Sequence, residues 1–131
     1  MADYTIKRLD DVADVLGDYP GEMRMMTSDL ECEQVAFTYR RMPQHTGGKG
    51  SYGHRHKTQE EIYFVMSGTL QFKLDDEVLD LEQGTVVRVA PETWRSVWND
   101  AEQDAELVIV SKRVEGGSAE DAEYLQDFWP E

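Results

Sequence analysis

Cysteine is nearly absent from this chain. Cys32 stands alone among 131 residues, so no internal disulfide can form and a disulfide-stapled secreted scaffold is excluded. It lies between Glu31 and Glu33, whose charges favour the protonated thiol, and is read as an ordinary cysteine. Positive charge is scarce too. Thirteen Lys and Arg against twenty-seven Asp and Glu leave a formal charge of −14, which repels phosphate backbones and anionic membrane surfaces. Nucleic acid is therefore not an expected partner. No apolar run approaches the roughly 20 residues of a membrane span, and Met1-Ala2-Asp3-Tyr4 has neither the basic start nor the apolar stretch of a secretory signal. A soluble, cytoplasmic protein with no membrane partner is expected. The acidic residues near both ends, among them Asp10, Asp14, Glu120 and Asp121, are read as solvated faces.

Helical periodicity is equally sparse, whereas period-2 alternation and turn residues recur throughout. The pattern predicts strands at Tyr4–Leu9, Met23–Thr27, Glu33–Met42, Tyr52–His56, Glu61–Met66, Thr69–Leu74, Val78–Leu81, Thr85–Val89, Trp94–Trp98 and Glu106–Lys112. Short, regularly spaced strands predict an all-β sandwich or barrel, and the length suits one domain over residues 1–131. Peripheral helical segments are expected at Asp10–Leu16 and at Ala119–Phe128. The second follows a cap-like Ser118 and Asp121 and would place Tyr124, Leu125 and Phe128 on one side. Pro43–Gly53, with four glycines and a proline, reads as a loop leading into the next strand, either a plain connection or a lid.

Histidine is rare as well, with three in the chain, yet two of them stand two residues apart. On a strand, His54 and His56 leave the same face. In the following strand Glu61, Tyr63 and Val65 share one face, and Glu60, Ile62, Phe64 and Met66 share the other. A carboxylate facing inward at Glu61 needs a cation or hydrogen-bond donors to stay ionised. A divalent ion would satisfy His54, His56 and Glu61 together, as the two-His-one-carboxylate set of open iron, manganese or zinc sites. Glu60 is expected on the exposed face.

The spacing His54-x-His56-x4-Glu61-x6-Gly68 resembles the first conserved motif of the cupin superfamily, in a small single-domain cupin of the type-2 conserved-barrel kind. The resemblance runs from about Met42 to Val110 and implies a jelly-roll β-barrel with short peripheral helical segments. It selects Glu61 over Glu60 as the ligand, because only Glu61 has six residues between it and the glycine. The second motif runs from Gly84 through Pro91 to Asn99. Here the turn Ala90-Pro91-Glu92-Thr93-Trp94 is one residue short and lacks a glycine, and Arg95 stands where the last ligating histidine is expected. His45 precedes the first motif and would reach a pocket only if its loop folds inward.

Two states of the site follow. In one, His54, His56 and Glu61 hold a divalent ion (Fe, Mn, Zn or Ni), and Arg95 binds an anionic group beside it. In the other, Arg95 pairs with Glu61 and the pocket is metal-free. A guanidinium about 5 Å from a divalent ion is repelled by roughly 6 to 7 kcal/mol at an effective dielectric near 20, so the first state calls for Arg95 turned away or an anion present. Alternation gives a largely apolar interior from Tyr63, Val65, Leu70, Phe72, Leu74, Val87, Val89 and Val97, serving as pocket wall or as plain core. Trp94 and Trp98 fall opposite Arg95, covering the sheet or meeting another subunit.

The expected function is small-molecule binding, with Arg95 and Tyr63 toward an anionic or sugar-like ligand. The alternative is a metal-dependent enzyme of dioxygenase, decarboxylase or isomerase type acting on a small anionic substrate. No catalytic residue is assigned. The resemblance also implies a homodimer.

Overall fold

Alternation in residues 61–67 carries directly into the structure. Glu61, Tyr63 and Val65 are buried, while Ile62, Phe64 and Met66 are exposed. The computed structural model describes residues 3–131. Its strands are β1 (Glu22–Met25), β2 (Val35–Met42), β3 (Thr46–Gly47), β4 (Ser51–His56), β5 (Glu61–Ser67), β6 (Thr69–Leu74), β7 (Glu77–Glu82), β8 (Val86–Val89), β9 (Arg95–Asn99), β10 (Ala105–Lys112) and β11 (Ala122–Trp129). One sheet has the order β1-β2-β10-β5-β8. The other runs β11-β4-β9-β6-β7, with β3 paired to β9. β10 inserts between β2 and β5, and β9 between β4 and β6. Such non-sequential antiparallel neighbours are those of a jelly roll, the expected all-β architecture.

Met42, Tyr63, Val65, Leu70, Phe72, Val89, Val97, Ala105 and Leu107 form the core between the sheets. Five of the nine, Tyr63, Val65, Phe72, Val89 and Val97, are the β-branched and aromatic types that pack well on pleated surfaces. A smaller cluster of Val12, Met26 and Tyr39 lies on the outer side of the first sheet, so β2 is covered on both faces. Gly68 joins β5 to β6 at φ +75°, and a Cβ there would stand 2.8 Å from the Asp104 carbonyl oxygen. Both facts require glycine at that motif position.

All but the first of the expected strands form, with ends shifted by a few residues. Tyr4–Leu9 is not a strand. The helix expected at Asp10–Leu16 is only a 3-10 turn at Leu9–Asp11. Beyond it, Asp14 Oδ1 accepts hydrogen bonds from Leu16 N (3.0 Å) and Met23 N (3.1 Å), tying the N-terminal segment to β1 instead. Met23–Thr27 breaks at Met26, where α1 (Met26–Asp29) makes one turn.

The largest correction is at the C-terminus. Helix α2 covers only Ser118–Asp121, its cap is Gly117 rather than Ser118, and residues 122–129 are strand β11. β11 pairs antiparallel with β4, Tyr124 facing His54 and Ala122 facing His56. Without it, β4 would present unpaired backbone groups along the sheet edge, and that demand overrides the local helical pattern. Tyr124 and Leu125 stay exposed while Phe128 is buried, so the three never share a helical face. The Pro43–Gly53 loop contains β3 and the buried Thr46. Among the described residues no helix is long and apolar enough to cross a membrane.

Candidate metal centre and pocket

β4 brings His54 and His56 to one face, with Arg55 outward against Glu123 (3.1 Å) and over the Trp94 ring (4.4 Å). Gly53 just before them is required by packing, since a Cβ there would lie 2.3 Å from the Phe128 ring. β5 delivers Glu61 from the other sheet, and one atom, Glu61 Oε1, becomes the point of convergence. His54 Nε2 stands 3.7 Å from it and His56 Nε2 3.5 Å. The Tyr63 hydroxyl donates to it at 2.7 Å, and Arg95 Nε lies 3.4 Å away. Burial alone would raise the Glu61 pKa, but His54, His56 and Tyr63 together hold it well below the ordinary carboxylate range. Burial and the neighbouring Glu61 charge push the Tyr63 phenol up, so it remains a donor.

The donor set suits a divalent ion. His54, His56 and Glu61 each offer an atom within 4.8 Å of the others. Bonds near 2.1 Å set neighbouring ligand atoms about 3.0 Å apart at a right angle and about 3.4 Å at a tetrahedral one. The observed 3.5 and 3.7 Å exceed good hydrogen bonds and approach the spacing of ligands about a shared cation. His56 Nδ1 has Asp121 Oδ2 at 3.3 Å, too misaligned for a hydrogen bond. A carboxylate behind a ligating histidine is the usual device for orienting the ring.

Arg95 is wholly buried and lies in register with His54. Its terminal nitrogens are turned to the preceding turn. Nη1 donates to the carbonyls of Thr93 (2.8 Å) and Pro91 (3.1 Å), and Nη2 to that of Ala90 (3.3 Å). The shortened turn thus wraps the guanidinium, leaving Nε to face Glu61. Asn99, closing the second motif, bridges Met42 O and Gln103 O, both at 2.8 Å, which is a structural task. Glu60 sits outside, paired with Arg88 at 2.9 Å. His45 stacks on Trp98 outside the cavity.

Above the cluster opens a cavity of about 560 Å³, lined by His54, His56, Glu61, Tyr63 and Arg95 together with N-terminal residues Val15, Leu16 and Tyr19. Of the apolar interior expected from alternation, Tyr63 and Val97 reach this space, whereas Val65, Leu70, Phe72 and Val89 fill the core. Two polar residues went unseen in the sequence. Asp121, expected as a solvated helix cap, is buried, and its carboxylate accepts from Thr58 N (3.1 Å), Thr58 Oγ1 (2.7 Å) and Gln59 N (2.9 Å). Burial alone would raise its pKa, but these donors lower it. Arg40, on β2, also lines the cavity; its parity with Met42 is the only sequence signal for its inward direction.

The fold is shared with many solved structures. A cupin-superfamily sugar phosphate isomerase from Silicibacter pomeroyi superposes with a TM-score of 0.72 at 16% identity, covering 97% of this chain and 96% of that one. A cupin protein from Bacteroides fragilis gives 0.70 at 21%, covering 88% and 89%. A protein from Thermotoga maritima described as a predicted oxalate decarboxylase gives 0.66 at 18%, covering 84% and 100%. No curated protein matches by sequence. At these identities the likeness establishes fold alone. The family model described as "Cupin domain" matches residues 41–111, more than half of the chain and both motifs, so this chain belongs to the cupin family.

Proposed function

We propose that this cupin binds a small molecule in its cavity beside a divalent ion held by His54, His56 and Glu61. The observation carrying this reading is the convergence of three ligand-type atoms, within 4.8 Å of one another, on the wall of a cavity of about 560 Å³. That volume falls in the ordinary range for small-ligand pockets. A bound ion (Fe, Mn, Zn or Ni) would supply Lewis acidity toward an oxygen of the bound molecule. The chain's own residues do the rest. Glu61 stays ionised, and Arg95 balances charge from behind. Asp121, 3.3 Å behind His56 Nδ1, would steady that ring by its charge and by a hydrogen bond once the ring is turned onto an ion. Tyr63, committed to Glu61, presents its ring to the ligand. The second reading is a metal-dependent enzyme of dioxygenase, decarboxylase or isomerase type on a small anionic substrate, favoured by the cavity's direct access to the ligand set. The sugar phosphate isomerase and oxalate decarboxylase names of two structural neighbours are consistent with it.

The test is metal content. Untagged protein loaded with iron, manganese or zinc and then desalted should retain about one ion per chain by elemental analysis. Asp121→Asn should bind that ion about 10 to 100-fold more weakly. Wild-type protein that keeps no stoichiometric ion would defeat the metal reading.

A cytoplasmic homodimer remains part of this proposal. Ile62, Phe64 and Met66 form an exposed apolar stripe on the outer side of β5, continued by Val86, the register partner of Phe64. An apolar stripe of this kind suits a second copy of the chain. Trp94 and Trp98 are half-buried over Phe128 and His45, covering their sheet. Light scattering should give twice the 15.1 kDa chain mass, and Phe64→Lys should halve it. A monomeric wild type would end the dimer proposal.

A further inference from the structure

Arginine side chains in this protein are paired with acids almost throughout. Arg24, Arg41, Arg55, Arg88, Arg95 and Arg113 each lie within 4.0 Å of a carboxylate. Arg40 is different. It projects from β2 into the cavity, on the same face as the core residue Met42. Among the described residues no carboxylate pairs with it. Its Nε is buried without a hydrogen-bond partner. The titratable groups facing it are the phenols Tyr19, Tyr52 and Tyr63, none of which supplies a counter-charge at neutral pH. Burial therefore acts on the Arg40 charge without compensation and lowers its pKa, though a guanidinium stays protonated.

Arg40 is half-buried as a whole, and a partly desolvated, unpaired cation is costly to a fold. In a protein with twenty-seven acidic residues, a partner would be easy to supply. From this we infer that Arg40 is the anion-recognition residue of the pocket, taking the carboxylate or phosphate group of a small ligand. The planar fork of a guanidinium matches either group through two parallel hydrogen bonds. Arg95 does not compete for this task, because its terminal nitrogens are held by the carbonyls of Ala90, Pro91 and Thr93. Arg40 comes from the five-stranded sheet, and His54 and His56 from the six-stranded one. A ligand gripped by Arg40 therefore extends across the cavity toward the histidine cluster, past the apolar Val97, Leu107 and Ile109. Such a molecule is a small organic acid or phosphate monoester with an apolar or polyhydroxylated body of limited size.

The inference rests on the small-molecule reading of the cavity but not on the metal. Its test uses full-length wild type and Arg40→Met, each with chelator and after zinc loading. The probes are benzoate, acetate and inorganic phosphate, compared with chloride at equal ionic strength. Calorimetric titration and thermal melts are the readouts. In wild type at least one oxyanion should bind and raise Tm by about 2 to 4 °C at several times its Kd. Arg40→Met should weaken that binding about 10 to 100-fold, the usual loss for a hydrogen bond to a charged group. Benzoate and acetate responding without phosphate would identify a carboxylate, and the reverse a phosphate. Without oxyanion, Arg40→Met should melt at or above the wild-type temperature, because a half-buried charge with no carboxylate partner has been removed. A purely structural arginine would instead lower it.

Equal oxyanion responses in the two proteins, or none in wild type, would overturn the inference. So would a lower Tm for the unliganded variant. Should the variant not fold, the Arg40 Nε–H resonance of wild type, followed by NMR during benzoate and phosphate titrations, decides the matter by shifting or staying fixed. Zinc binding should be alike in both proteins. Zinc lost from wild type while the oxyanion response persists would remove the metal reading and leave this one standing.

Discussion

Glu61→Ala should leave the protein unable to retain a divalent ion and should lower its Tm by about 10 °C. Two consequences of one substitution combine here. The centre loses the only carboxylate ligand candidate within 4.8 Å of both histidines among the described residues, and two neutral imidazoles hold a divalent ion poorly. Arg95, wholly buried, also loses the charge 3.4 Å from its Nε, while the Tyr63 hydroxyl loses its acceptor. Breaking a buried pair by removing one partner costs about 3 to 5 kcal/mol. The lower figure applies because Arg95 keeps its three carbonyl partners, and about 3 kcal/mol corresponds to roughly 10 °C for a domain of this size.

Glu61→Gln should lose the ion as completely, yet recover part of the stability, since its amide oxygen still accepts from Tyr63. The pH dependence has a definite sign. The folded carboxyl lies below its ordinary value of 4.5, so its contribution is complete above that pH and is lost as pH falls through the folded value. The stability gap between wild type and Glu61→Gln should therefore be constant above about pH 5 and close progressively in acid. Chemical denaturation across that range, together with metal analysis, tests both parts. A gap unchanged down to pH 2, or an ion retained by either variant, would refute the account.

The residues legible in the sequence were those whose position depends on local geometry. His54 and His56 share a face because they are two apart on a strand, and Glu61 joins them because it shares parity with the core residues Tyr63 and Val65. The jelly-roll strands were legible for the same reason, being marked by alternation and turn residues. What escaped depends on contacts between distant segments. The C-terminal stretch carries a serviceable helical pattern, and only the open edge of β4, some 70 residues earlier in the chain, turns it into a strand and brings Asp121 behind His56. Arg40 was hidden differently. β2 has apolar partners on both faces, the interior core on one and the cluster around Tyr39 on the other, so its alternation does not distinguish the inward face. Neighbouring Arg40 and Arg41 then read alike, although Arg41 is held outside by Glu22 at 2.7 Å and Asp104 at 2.9 Å. The unusual turn before Arg95 was visible as a missing residue. Its effect, a ring of carbonyls around a guanidinium, was not, because backbone carbonyl direction has no signature in side-chain pattern.

Arg95→Met should move stability and metal affinity in opposite directions. Removing the guanidinium leaves the carbonyls of Ala90, Pro91 and Thr93 without their donors and Glu61 without its buried cation. The turn is only partly buried, so water replaces some of these bonds, and the metal-free variant should lose about 2 to 3 kcal/mol. The ion gains from the same change. A positive charge about 5 Å from a divalent cation opposes it by roughly 6 to 7 kcal/mol before screening by Glu61 and Asp121, and even a quarter of that is a tenfold change in affinity. Competition against a chromophoric chelator should therefore show zinc held at least tenfold more tightly by Arg95→Met. Zinc should also raise the melting temperature of the variant more than that of wild type, because the ion replaces the counter-charge Glu61 has lost. Such a reversal would identify Arg95 as a built-in rival of the metal for Glu61, and unchanged or weaker zinc binding would exclude that role.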